Sequence, residues 1–122
     1  MVLERILRGE KVIAAVTGEE TIITDAQSAL DLIMSVQYET KTNLLAIDKR
    51  VIAEDFFVLS SGLAGEVLQK FINYHTKVAI YGDYSRYTSK PLRDFISESN
   101  RGKDIFFVSS KEEAIQKLIS SL

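Results

Sequence analysis

Short, nearly unbroken apolar runs alternate along this chain with longer stretches in which apolar side chains return every three or four positions. "LLAID" (44–48), "KVAIYG" (77–82) and "IFFV" (105–108) are of the first kind, the mark of strands buried on both faces, as in a parallel sheet. Strands are therefore expected near 44–48, 77–82 and 104–108, as neighbours in one sheet. Helices are expected near 25–38, 62–74, 91–100 and 111–121. In the first, Ala26, Ala29, Leu30, Ile33, Met34 and Gln37 share one face; Thr24 and Gln27 stand at capping-box spacing, and Asp25 in the first turn suits the helix dipole. Leu63, Val67, Leu68, Phe71 and Ile72 form the stripe of the second. The third starts at Ser89, with Pro91 in its first turn and Leu92, Phe95 and Ile96 inward. It ends at Asn100-Arg101-Gly102, residues that tolerate left-handed geometry. Ser110 and Glu113 form a second capping box, ahead of Ala114, Ile115, Leu118, Ile119 and Leu122.

The N-terminal pattern differs. "VLERILR" (2–8) and "KVIAAV" (11–16) flank Gly9-Glu10 and read as a hairpin. The first run alternates poorly, which suits an edge strand. "TGEE" (17–20) is a turn, "TII" (21–23) a short extended piece, and "RVIAEDFFVL" (50–59) has room for a helical turn with Phe56 and Phe57 inward. The order β-β-α-β-(short α)-α-β-α-β-α predicts one α/β domain over residues 1–122. Its sheet is mostly parallel with right-handed crossovers, and the hairpin adds one antiparallel strand.

Composition narrows the function. At 122 residues the chain is one domain's length and long enough for a core without staples. A formal net charge of −2 gives no electrostatic reason to expect nucleic acid or an anionic membrane as partner. The absence of cysteine excludes disulfides, thiolate catalysis and cysteine-based zinc sites, and fits a reducing compartment. No apolar run approaches the roughly 20 residues that span a bilayer. Glu4, Arg5 and Arg8 interrupt what would have to be a signal core, so the expected location is the cytoplasm.

Candidate chemistry gathers where ligands gather in such sheets, beyond the carboxyl ends of the strands. Asp48 ends one buried run, Asp83 follows another, and Ser60-Ser61-Gly62 opens the helix between them. The serines either cap that helix, with Gly62 and Gly65 easing its packing on the sheet, or offer a hydroxyl or an anion site at its start. Glu66 opposes an anion there, and the stretch lacks the glycine spacing and lysine of a P-loop. Asp48 and Asp83 could hold Mg²⁺ through oxygen ligands, but aspartates at strand ends more often start turns, so no metal and no cofactor are expected. Glu54-Asp55 reads as a solvated loop. His75, the lone histidine, follows Tyr74 at a helix end, where a cationic imidazole complements the dipole. A Ser60-His75-Asp83 triad lacks the G-x-S-x-G setting. Tyr81, Tyr84 and Tyr87, with Arg86 and Lys90, either present an aromatic and basic loop to a partner or rim the core with wet hydroxyls.

Two family resemblances follow from these residues. "EDFFVLSSGLAGEVLQKFINY" and "KVAIYGDYSRYTSKPLRDFISESNRGKDIFFVSSKEEAI" resemble, over nearly the whole chain, the bacterial domain-of-unknown-function family 4180, which implies no activity. "LLAIDKRVIAEDFFVLSSGLAGEVLQ" is more distantly similar to the anti-sigma-factor antagonist (STAS) domain, whose Asp-Ser-Ser-Gly-Leu-Gly motif is matched by Ser60, Ser61, Gly62 and Leu63. That resemblance implies a STAS-like fold and a serine phosphorylated by a partner kinase. Leu59 replaces the motif's aspartate, Ala64 its second glycine, and the connection from Asp48 is longer. The expected function is a non-enzymatic cytoplasmic regulatory or protein-binding module. It would act through the Ser60–Gly62 helix start and the 83–89 loop, with Ser60, Ser61, Gly62, Asp48, Asp83, Tyr84 and Arg86 as candidate residues. The alternative is a small-ligand binder or enzyme using Asp48 and Asp83. In a third reading the hairpin, residues 2–16, pairs with its own copy to give a homodimer.

Overall fold

A computed structural model describes residues 1–122. Five strands form one sheet in the order of the sequence: β1 (Val2–Arg8), β2 (Lys11–Thr17), β3 (Leu44–Asp48), β4 (Lys77–Tyr81) and β5 (Ile105–Val108). β1 and β2 are antiparallel across Gly9-Glu10; β2 through β5 are parallel. The helices are α1 (Ala26–Thr40), α2 (Leu63–Asn73), α3 (Lys90–Arg101) and α4 (Lys111–Ser120). Thus all four expected helices and the three expected parallel neighbours are present, and β1 is an edge.

Each parallel strand lies one step beyond the last, so crossovers of one hand keep their helices on one face. Side chains of α1, α2 and α3 pack there against Ala14, Val16, Leu45, Ile47, Val78, Ile80 and Phe107. Only α4 covers the other face. Ala15, Ala46 and Ala79 stand in register across three strands, and these small side chains let Ala114, Ile115 and Leu118 of α4 lie close.

Local chemistry shifts several expected boundaries. The cap of α1 is Asp25, not Thr24: Asp25 Oδ1 accepts from Ser28 N at 2.8 Å, and Ser28 Oγ accepts from Asp25 N at 3.1 Å. The buried stripe of α1 is Ala29, Leu32, Ile33 and Val36, which leaves Met34 on the exposed side and Leu30 half-buried. Ile72 and Leu122 also face outward, and Ala64 is buried instead. Ser110 caps α4 through Glu113 N, but the Glu113 carboxylate accepts from Ser109, not from Ser110. Gly102 ends α3 at φ −83°, outside the left-handed region. Left-handed ends occur instead at Lys41 (φ 60°) and His75 (φ 52°). His75 sits in a Schellman motif in which Thr76 N donates to Phe71 O and His75 N to Ile72 O.

Candidate functional site

The segment between β3 and α2 is a run of three 3₁₀ turns, Lys49–Val51, Glu54–Phe57 and Leu59–Ser61. Phe56 and Phe57 both point inward, their rings 4.9 Å apart. Ile23 pairs as an isolated parallel bridge with Ile52 and fixes the start of this segment against the chain before α1.

Asp48 begins the run. Its side chain is only 10% exposed, accepts from Arg50 N at 2.9 Å and is gripped by the Arg50 guanidinium at 2.8 Å. Burial pushes the carboxyl upward, but the Arg50 hydrogen bonds and charge, aided by Lys49, outweigh it and hold Asp48 below its ordinary value. Asp83 is exposed and accepts from Ser85 N at 2.9 Å, which starts a turn; hydrogen bonding from the Ser85 side chain first, and from its backbone second, lowers the Asp83 pKa.

The 83–89 loop is tied to the 3₁₀ segment by an aromatic and charged cluster. Tyr87 stacks on Phe57 with centroids 5.3 Å apart, and Lys49 Nζ lies 4.8 Å from each of those ring centres. Glu54 accepts from the Tyr87 hydroxyl and from Arg86. The Tyr87 bond is the main reason its carboxyl is held low; Lys49 and Arg86 reinforce it against burial. Tyr84 packs against Phe57, Tyr87 and Phe107 and donates its hydroxyl to Ile80 O at 2.8 Å, and burial pushes its pKa up. Tyr81 is pushed up to about 12, by burial first and Asp48 second. Gly82 is required here, because a Cβ would lie 2.7 Å from Lys49 Cβ.

Asp48, Lys49, Arg50, Tyr81, Gly82, Asp83 and Arg86 surround an open cleft of about 410 Å³ at the carboxyl ends of β3 and β4. The structure thus brings together Asp48, Asp83 and Arg86. Ser60, Ser61 and Gly62 do not line the cleft. They lie beyond it on the last 3₁₀ turn, where the two serines differ. Ser61 Oγ donates to Asp55 O at 2.7 Å and accepts from Leu63 N at 3.2 Å, so its hydroxyl is structural. Ser60 is exposed and its hydroxyl bonds to no protein group. Beside it, Val58 is 51% exposed. Gly62 adopts φ +79°, which reverses the chain into α2 and favours glycine. Nothing lies within 4 Å of where a Gly65 Cβ would be, so that glycine does not ease helix–sheet packing as expected.

Lys49, Arg50 and Gly82 carry no expectation from the sequence, whereas Glu54 reads there as part of a solvated loop and Tyr81 as one of three tyrosines facing a partner or rimming the core. An aspartate two residues before Arg50, with its side chain on Arg50 N, is a local signal and was available. Glu54 and Arg86 are 32 residues apart, and only the fold joins them. His75 is exposed in the Schellman turn that ends α2; its N–H bonds back to Ile72 O, as a residue ending a helix does, and it is no member of the cleft.

A protein-family model described as a domain of unknown function (DUF4180) matches residues 8–118. No curated protein and no solved structure matches the chain.

Proposed function

Because the chain belongs to the DUF4180 family of domains of unknown function, a function has to be argued from its surface, and we propose a non-catalytic protein-docking module of the cytoplasm. Its docking edge is the tip formed by Val58 and Ser60 with the neighbouring 83–89 loop. The observation that carries this reading is the pairing of an exposed apolar side chain, Val58, with an unpartnered hydroxyl, Ser60, on one 3₁₀ segment. That segment is held from beneath by the buried Phe56 and Phe57 and from the side by the Glu54 cluster. A preorganised, partly apolar projection loses little freedom on docking.

The cleft supports a small-ligand reading less well. Each charged group around it already has a protein partner: Asp48 has Arg50, Asp83 has Ser85 N, Arg86 has Glu54, and Lys49 has two aromatic faces and Glu54. A ligand would have to displace these bonds.

The likeness of Ser60-Ser61-Gly62-Leu63 to the STAS motif supports a regulatory version of the same reading. Of the two serines, Ser60 is the one open to a modifying enzyme. A phosphate there would bring roughly −1.5 to −2 charges to the docking tip and disfavour an acidic or apolar partner.

A photo-crosslinking residue at position 58 tests this in the native cytoplasm, with the same residue at position 116, on α4, as control. The expected result is a discrete crosslinked species specific to position 58 that is lost in the Ser60→Asp variant. The same species from both positions, or one indifferent to Ser60→Asp, would overturn the reading.

A further inference from the structure

We infer that the protein pairs with a second copy of itself along β1, antiparallel, in the register that sets Ile6 opposite Ile6 of the second copy. This goes beyond the docking edge at Ser60 and does not depend on it.

The two edges of the sheet are treated differently. At the β5 edge Asn100 acts as a substitute strand: its Oδ1 accepts from Phe107 N at 2.7 Å, and its Nδ2 donates to Phe107 O at 3.1 Å. β1 has no such cover. It is seven residues long, without proline and without a break in register, and the one side chain on its outer backbone is Arg8, which donates to Leu7 O at 3.2 Å. A long, regular, unprotected edge is a template for another strand.

Charge decides which strand and which register. In a two-residue hairpin the closing pair, here Arg8 and Lys11, exchanges both backbone bonds. Even-numbered residues of β1 therefore turn their backbone groups toward β2, and Leu3, Arg5 and Leu7 turn theirs outward. Two-fold pairing must match these outward residues with one another and keep side chains on their own face. Three registers do so over most of the strand. Centring on Glu4 sets Glu4 against its own copy. Centring on Arg5 does the same to Arg5. Centring on Ile6 opposes no like charges and places Glu4 across from Arg8 twice, about the Ile6 pair.

The intramolecular ion pairs already point the same way. Ile6 packs on the α4 face, which Glu4 and Arg8 share by alternation. There Lys111 pairs with Glu4, and Arg8 with Glu112 at 3.2 Å. Joining two copies in the Ile6 register extends these into a row of alternating sign: Lys111, Glu4, then Arg8 and Glu112 of the second copy, repeated across the two-fold axis. On the other face Leu7, 56% exposed alone, comes to lie against the stem of Arg5 of the second copy. The result is a ten-stranded sheet with both copies of α4 on one face. The parallel strands of the two copies then run in opposite directions, so two docking edges face away from each other.

Sedimentation analysis of the full chain tests the pairing. The wild type should form a concentration-dependent dimer. Glu4→Arg and Arg8→Glu each create like-charge pairs at both cross-strand positions and should each weaken it by about tenfold or more. Mixing those two variants sets arginine at positions 4 and 8 of one strand against glutamate at positions 8 and 4 of the other and should restore a dimer. Arg5→Pro removes an outward N–H without touching the β2 ladder and should abolish the dimer while circular dichroism stays native. A wild type that sediments as a monomer up to sub-millimolar concentration would overturn the proposal. So would a dimer that survives Arg5→Pro, or one for which mixing the charge variants restores nothing.

Discussion

Replacing Asp48 by alanine and by asparagine separates the two things its carboxylate does. One oxygen accepts from Arg50 N and starts the 3₁₀ segment; the carboxylate also holds the Arg50 guanidinium. A capping bond of this kind is worth about 1 kcal/mol. The ion pair adds about 0–1 kcal/mol, because the Arg50 side chain is 79% exposed and screened by water. Asp48→Ala loses both, and should cost about 1–2 kcal/mol. Asp48→Asn keeps the acceptor for Arg50 N and should cost about half as much or less. Urea denaturation followed by far-UV circular dichroism suits a chain without tryptophan. With a slope of about 1–3 kcal/mol/M, the alanine variant should move the midpoint down by roughly 0.3–2 M. The acid limb gives a second check. Asp48 is held below its unfolded value, so its contribution is complete above the unfolded pKa of about 3.9 and fades as pH falls through the lower folded value. The difference between wild type and Asp48→Asn should shrink in that window alone. Asp25, Glu54, Asp83 and Glu113 are also held low and titrate in both proteins. An asparagine variant as unstable as the alanine variant at neutral pH would show that charge, and not the cap, holds the turn.

Phe71, 1% exposed beneath α2, should lose about 3–5 kcal/mol on Phe71→Ala, read as a drop in denaturation midpoint. Gly65 lies in the exposed first turn of α2 with open space around its missing Cβ, so Gly65→Ala should raise stability by about 0.5–1 kcal/mol, seen as a higher melting temperature. Gly62→Ala, three residues earlier, should do the reverse by about 1 kcal/mol, because φ +79° strains any residue with a Cβ. His75 carries φ 52° at the end of α2, and His75→Gly should be neutral or stabilising by up to about 1 kcal/mol; a clear loss would reveal a side-chain role that the exposed turn does not show.

The parallel core was legible because strands buried on both faces need no alternation: "LLAID" and "IFFV" cannot be half-buried. The hairpin was legible from Gly9, whose φ of +63° the turn requires. Helix faces were read less well. In α1 the residues at 29, 30, 32, 33, 34 and 36 are all apolar or small, so periodicity left the face open by a third of a turn. Packing against α2 and β2 chose Leu32 and Val36 over Leu30 and Met34. The cap of α1 was misplaced by one residue because Thr24 and Asp25 are both good caps. Asp25 wins because its carboxylate reaches Ser28 N while Ser28 answers with its own hydroxyl. The row of alanines beneath α4 was present in the sequence, but it becomes a row only when the register is known.

The site was legible as a neighbourhood and not as a mechanism. Strand ends announce where Asp48 and Asp83 must go, and a Ser-Ser-Gly before an apolar helical stripe announces a helix start. What each side chain does there depends on partners far away in the chain. Ser60 and Ser61 are chemically equal in the sequence and unequal in the fold, because the carbonyl of Asp55 curls back under one of them and not the other. The left-handed Gly62 then turns the chain away, which leaves Val58 and Ser60 at the tip. A rigid tip above, an open strand edge at the far side of the sheet and a cleft whose charges are already paired form one pattern. The groups this fold leaves unsatisfied, the Ser60 hydroxyl and the outward backbone of β1, are the ones that the proposed docking and pairing would satisfy.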